Sequence, residues 1–223
     1  MLTEIHLPQQ RIGWPALSAL VSGVVGLLAN ALLVLFYLLA RPFSEVQNGF
    51  GWLGTANDWL VAVQFLTMIP VALELRRRLP LRRSVRVVTA MGVVAMAAAC
   101  LLQLLLIAGA LDFDVEVLLV VAAFLLFYAW VFVVSSIGHR QGALPRTVTR
   151  FGLLLGAGFP LGLLITGAGY LVGRASGHPL ALASPGIVLG AASWLALPVW
   201  PLILARIVFN KPPSLNSDEE GLS

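Results

Sequence analysis

The chain is poor in the residues that most enzymes and metal proteins depend on. Of its 223 residues, one is cysteine, three are histidine, and only 11% are charged. The lone thiol, Cys100, cannot close an intrachain disulfide, and the paired-cysteine patterns of zinc and redox sites are excluded. It reads as a small buried hydrophobe. His6, His139 and His178 all lie outside the apolar blocks, so a haem held between helices by paired histidines is excluded. Lys211 is the single lysine. It follows the last apolar block, which removes both a lysine-bearing phosphate loop and a Schiff base inside a bundle. Neither an HExxH zinc motif nor a GxSxG nucleophile elbow occurs. Ser135 and Ser136 stand near His139 in sequence, a poor setting for a serine–histidine pair. These absences imply no cofactor, no metal centre and no catalytic set.

Charge is scarce because apolar residues are abundant. Hydrophobic residues make up 59% of the chain, and its mean hydropathy is +0.94. A soluble domain carries about 25% charged residues, so an ordinary soluble core is excluded. The apolar residues form six blocks: Trp14–Leu39, Asp58–Leu75, Val87–Leu111, Val115–Ile137, Phe151–Val172 and Pro185–Val208. Crossing a bilayer takes about 20 such residues. Helices are the expected form, since backbone groups in lipid must pair within their own segment. The alternation of a membrane barrel is missing. The first block is longer than the apolar core of a cleaved signal, about 7–15 residues, and reads as a span. The expectation is an all-α transmembrane bundle of six helices in residues 1–210, followed by a polar tail, 211–223.

Six crossings sort the basic residues. Arg11, Arg76, Arg77, Arg78, Arg82, Arg83, Arg86, Arg140, Arg146, Arg150, Arg206 and Lys211 fall on one side, twelve of the fourteen, leaving Arg41 and Arg174 opposite. The positive-inside rule makes the rich side cytoplasmic, with both termini there. The run Arg76–Arg78, Arg82, Arg83 and Arg86 then reads as a topology anchor that attracts anionic lipid head groups, at about 1 kcal/mol per residue. Nucleic acid is not implied. Pro80 suits a tight connection between antiparallel helices. Phe43, Phe50 and Trp52 suit a membrane interface, and Thr55 or Asn57 could cap the second helix.

Within the second block, Asn57, Gln64, Thr67 and Glu74 share one helical face with Leu60 and Val71. Polar groups inside a membrane face the protein interior or a cavity. Asn30 and Gln103 could join them. The stripe reads first as interhelical glue, with Glu74 paired to neighbouring arginines, and alternatively as a polar cavity for a small ligand. On the opposite side Asp112, Asp114 and Glu116 lie close in sequence. They could offer oxygens to a hard cation, joined by His178, but read first as a solvated turn. Gly152/Gly156, Gly158/Gly162, Gly169/Gly173 and Gly186/Gly190 are pairs four apart, and Ser18, Ser22, Gly26 and Asn30 form a stripe. Such small-residue faces let helices approach, within the bundle or between copies of the chain. Pro160, Pro198 and Pro201 should bend the fifth and sixth helices.

The segments NDWLVAVQFLTMIPVALELRRRL and PVWPLILARIVF resemble parts of a bacterial family of six-helix membrane proteins of unknown function. The resemblance implies the fold and a bacterial plasma membrane, and carries no catalytic residues. The sequence thus points to a non-enzymatic membrane protein that binds lipid or a partner membrane protein, with a small transporter as the alternative.

Overall fold

The computed structural model describes residues 13–40, 49–80 and 83–209. Arg11, Arg41, Phe43, Arg82, Lys211 and the tail lie outside them. The described residues are all-helical, and six helices are long and apolar enough to cross a membrane.

Helix α1 spans Trp14–Leu35 and continues as a π-helical turn, Phe36–Ala40. Pro15 in its first turn costs nothing, because the N–H groups there have no partner within the helix. Ala16, Ala19, Ser22, Gly23, Gly26 and Ala29 are buried along one side. This thin face lets α1 lie close on α2, Trp52–Arg78. Helix α3 is Arg83–Ile107, α4 Phe113–Arg140 and α5 Arg146–Ser176. Gly177 ends α5 in the left-handed region at φ 80°, where a side chain would strain the backbone. The sixth span is broken: α6 covers Pro179–Ala196, α7 covers Val199–Ile203, and a π-helical turn runs over Leu204–Phe209. Pro198 and Pro201, which interrupt the helical hydrogen-bond ladder, sit at this break.

Several helices run past the expected blocks. The second starts at Trp52 with Gly51 at its cap, so Thr55 and Asn57 are inside it and cap nothing. The sixth starts at Pro179 rather than Pro185. Arginines expected in connections instead form helix ends: Arg76–Arg78 close α2, and Arg83 and Arg86 open α3. Hydropathy stops where charge begins, but the backbone ladder does not. The helix end in the head-group layer tolerates charge, and a basic last turn suits the negative end of the helix dipole.

Each helix packs on the next, and α7 with the final π turn packs back on α1, closing a ring. Aromatic side chains fill its centre. Phe65 stacks on Phe124 at 5.2 Å and meets Phe127 edge-on at 5.1 Å. Tyr128 stacks on Phe159 at 4.5 Å, and Trp130 meets Trp200 edge-on at 5.8 Å. Such pairs add about 0.5–1.5 kcal/mol each beyond burial. The glycine pairs are used inside the chain. A Cβ on Gly156 would meet the Phe132 backbone of α4 at 2.6 Å, and one on Gly162 would meet the Gly190 nitrogen of α6 at 2.5 Å. Outside, Leu118, Leu154, Leu171 and Leu180 are over 70% exposed. A surface of that kind is unstable in water and natural in lipid.

Nine of the ten described arginines lie at the end of the bundle where Trp14 and Phe209 stand, with Arg174 at the other. Asp58, Asp112, Asp114 and Glu116 lie at that other end. The two are named here the arginine end and the carboxylate end.

Candidate functional site

The six polar residues proposed for a shared cavity occupy three separate places. Asn30 and Gln64 both lie near mid-bundle, beside the break in the sixth span. Asn30 Nδ2 donates to the Leu195 carbonyl at 3.0 Å. That carbonyl sits four residues before Val199, and Pro198 disturbs the ladder there, so Asn30 satisfies an acceptor the break exposes. The amide of Gln64 lies against Gly26, where an added Cβ would come within 2.6 Å of Nε2 and 2.8 Å of Pro198 Cγ. Ser22 donates from α1 to the Gln64 carbonyl at 3.2 Å. Thr67 bonds its own helix, to Val63 O at 2.8 Å and Gln64 O at 3.0 Å. These contacts link α1, α2 and the sixth span.

Glu74 belongs to the arginine end. Its carboxylate takes Arg78 Nε at 3.0 Å, with Arg77 at 3.7 Å. Arg78 reaches further: Nη1 donates to the Val208 carbonyl at 2.7 Å, and its guanidinium lies 5.1 Å from the Phe209 ring centre. It therefore latches α2 to the end of the sixth span. Arg77, Arg83, Arg86, Arg140, Arg146, Arg150 and Arg206 are exposed, and Arg76 is half-buried.

Below Arg150 an open groove of about 510 Å³ runs along α5, lined by Leu153, Leu154, Ala157, Gly158 and Leu161, with Leu189 of α6. Apart from Arg150 its lining is apolar. From Arg150 to Leu161 the helix descends about 16 Å, at 1.5 Å per residue. That is close to half of the roughly 30 Å hydrocarbon layer. Nothing in the one-dimensional pattern signals this groove, because it is a gap between two helices.

Gln103 and Asn57 belong to the carboxylate end. Gln103 Nε2 meets Glu116 Oε1 at 2.6 Å in a buried contact between α3 and α4. Asn57 Nδ2 donates to Asp58 Oδ1 at 3.3 Å on α2. The acidic run divides: Asp112 and Asp114 are exposed, Glu116 is buried, and His178 is exposed. Among the described residues no group of three potential metal ligands forms. The Gln103–Glu116 contact escaped sequence reasoning. A usable signal was present, since the two lie at a similar depth from the carboxylate end of their helices.

Ser135 and His139 do not pair. The Ser135 hydroxyl sits where a Cβ on Gly152 would be, and His139 Nδ1 meets Thr149 Oγ1 at 3.1 Å.

No family model, no curated protein and no solved structure matches the chain.

Proposed function

We propose that this chain is a non-enzymatic, multi-pass membrane protein that binds an anionic phospholipid in the α5 groove, with its arginine end in the cytoplasm. One observation carries the reading: a leaflet-deep apolar groove headed by the exposed guanidinium of Arg150. An acyl chain fits its length, and a phosphate head group fits the guanidinium, a planar donor fork matched to phosphate. Arg146 lies one turn back on α5 and is also exposed, adding positive charge at head-group level. The asymmetry of the arginines supports the orientation by the positive-inside rule. The resemblance of the second and sixth spans favours a bacterial plasma membrane. The transporter alternative needs a path between the two ends, and Phe65, Phe127, Tyr128 and Trp130 fill the centre where it would run.

The test is lipid retention by the purified protein, phosphatidylglycerol against phosphatidylcholine, read by native mass spectrometry. The wild type should prefer phosphatidylglycerol. Arg150→Ala should weaken that preference about fivefold, equivalent to about 1 kcal/mol. Leu154→Trp should reduce retention of either lipid by filling the groove. Arg77→Ala, which removes an exposed charge away from the groove, should change neither. Equal effects of Arg150→Ala and Arg77→Ala would refute a built site.

A further inference from the structure

The head of the α5 groove carries more positive charge than one guanidinium. At about 100° per residue, Arg146, Arg150, Leu153, Leu154, Ala157 and Leu161 fall within about 100° of one side of α5. The stripe is apolar from Leu153 onward and begins with two arginines. The groove itself reaches up to Arg150. Arg146 stands one turn beyond it, about 6 Å along the axis. Helical side chains lean toward the N-terminus of their own helix. Arg150 therefore leans away from the apolar lining, toward Arg146 and the head-group layer.

Both side chains are exposed, and no carboxylate among the described residues pairs with either. Glu74, the only described carboxylate at this end, is taken by Arg77 and Arg78. The neighbouring elements bring further cations: Arg140 of α4 and Arg206 of the final π turn are also exposed. Like charges four apart on a helix repel and destabilise it. The positive end of the α5 dipole lies at the same place. A phosphate diester answers this arrangement with a single negative charge. A phosphate monoester carries about −1.5 to −2 at neutral pH and three free oxygens, so it can accept from two guanidinium forks at once. It neutralises both arginines and removes their repulsion.

We propose that the preferred occupant of the α5 groove is a phosphomonoester lipid of the phosphatidic acid class, its acyl chain along residues 153–161 and its phosphate shared by Arg146 and Arg150. The inference rests on the lipid reading of the groove and names the head-group class. Arg150 selects for negative charge, and Arg146 selects among anionic heads.

In the experiment, phosphatidic acid and phosphatidylglycerol with the same acyl chains compete for the purified full chain. Native mass spectrometry reads the ratio retained, with phosphatidylcholine as the neutral reference. The wild type should retain phosphatidic acid about fivefold over phosphatidylglycerol, the effect of one further charge met by one further basic residue. Arg146→Ala should abolish that preference, while phosphatidylglycerol still exceeds phosphatidylcholine. Equal retention of the two anionic lipids by the wild type overturns the inference. So does an Arg146→Ala variant that lowers both by the same factor, the mark of a diffuse surface charge. Either result leaves the anionic-lipid reading standing, whereas a wild type that retains all three lipids alike ends both. A chain that holds inorganic phosphate but no phosphatidic acid takes a free anion and overturns the inference as well. If Arg146→Ala does not fold, Arg146→Gln takes its place with the same expected and opposing results.

Discussion

Arg78 is the arginine whose loss should cost most, although it sits in a run of identical residues. Three contacts are removed by Arg78→Ala. The hydrogen bond to the Val208 carbonyl, 2.7 Å long, has a charged donor, a class worth about 1.5–3 kcal/mol when made. The pair with Glu74 at 3.0 Å is an i,i+4 helix pair, worth about 0.3–0.5 kcal/mol. The guanidinium over Phe209 adds about 0.5–1 kcal/mol. The contributions sum to about 2.3–4.5 kcal/mol, most of it from the bond that crosses to the sixth span. Arg77→Ala, by contrast, loses one 3.7 Å contact from a side chain 81% exposed, so its cost should stay under about 0.5 kcal/mol. The assay is equilibrium unfolding of the full chain in mixed micelles, comparing Arg78→Ala, Arg77→Ala and Arg78→Lys. Lysine keeps the charge but lacks the fork that serves Glu74 and Val208 together, so it should recover less than half of the loss. Equal stability of the two alanine variants would refute the latch.

Helix contact and topology supply further tests. Gly162→Ala places a methyl 2.5 Å from the Gly190 nitrogen, and should destabilise the α5–α6 hairpin by about 1–3 kcal/mol in the same unfolding assay. Gly167→Ala meets no atom within 4 Å and should be neutral or stabilising, since alanine is the better helix former. A cysteine placed at position 82, in a chain whose Cys100 is replaced by alanine, should resist an impermeant thiol reagent applied to intact cells. Labelling from outside would reverse the orientation.

The spans were legible because hydropathy is local: each segment reports its own preference for lipid without reference to a neighbour. Helix ends were less so. Arg83 and Asn57 look like flanking residues on a hydropathy scale, yet both lie inside helices, because the ladder continues through the head-group layer. The polar stripe on α2 was legible as an angle and illegible as a site. Periodicity fixes where Asn57, Gln64 and Glu74 point relative to their own axis. It does not say that α1 and the broken sixth span receive Gln64, or that Glu74 meets Arg78 of its own helix. Gln103 shows the same gap, since its partner Glu116 had been grouped with Asp112 and Asp114 by sequence proximity alone. In a helix, residues two apart face different ways, so Asp114 and Glu116 were poor candidates for one site from the start.

That division of α2 has a consequence for where chemistry can sit. The middle of the ring is occupied by Phe65, Phe124, Phe127 and Tyr128, and the polar groups that reach it, Asn30 and Gln64, sit at a helix junction beside Pro198. Asn30 is spent there on a backbone carbonyl. Groups able to exchange something with the surroundings are pushed outward. At one end stand exposed guanidinium groups and the groove below Arg150; at the other stand Glu116, Asp58 and an amide oxygen without a donor.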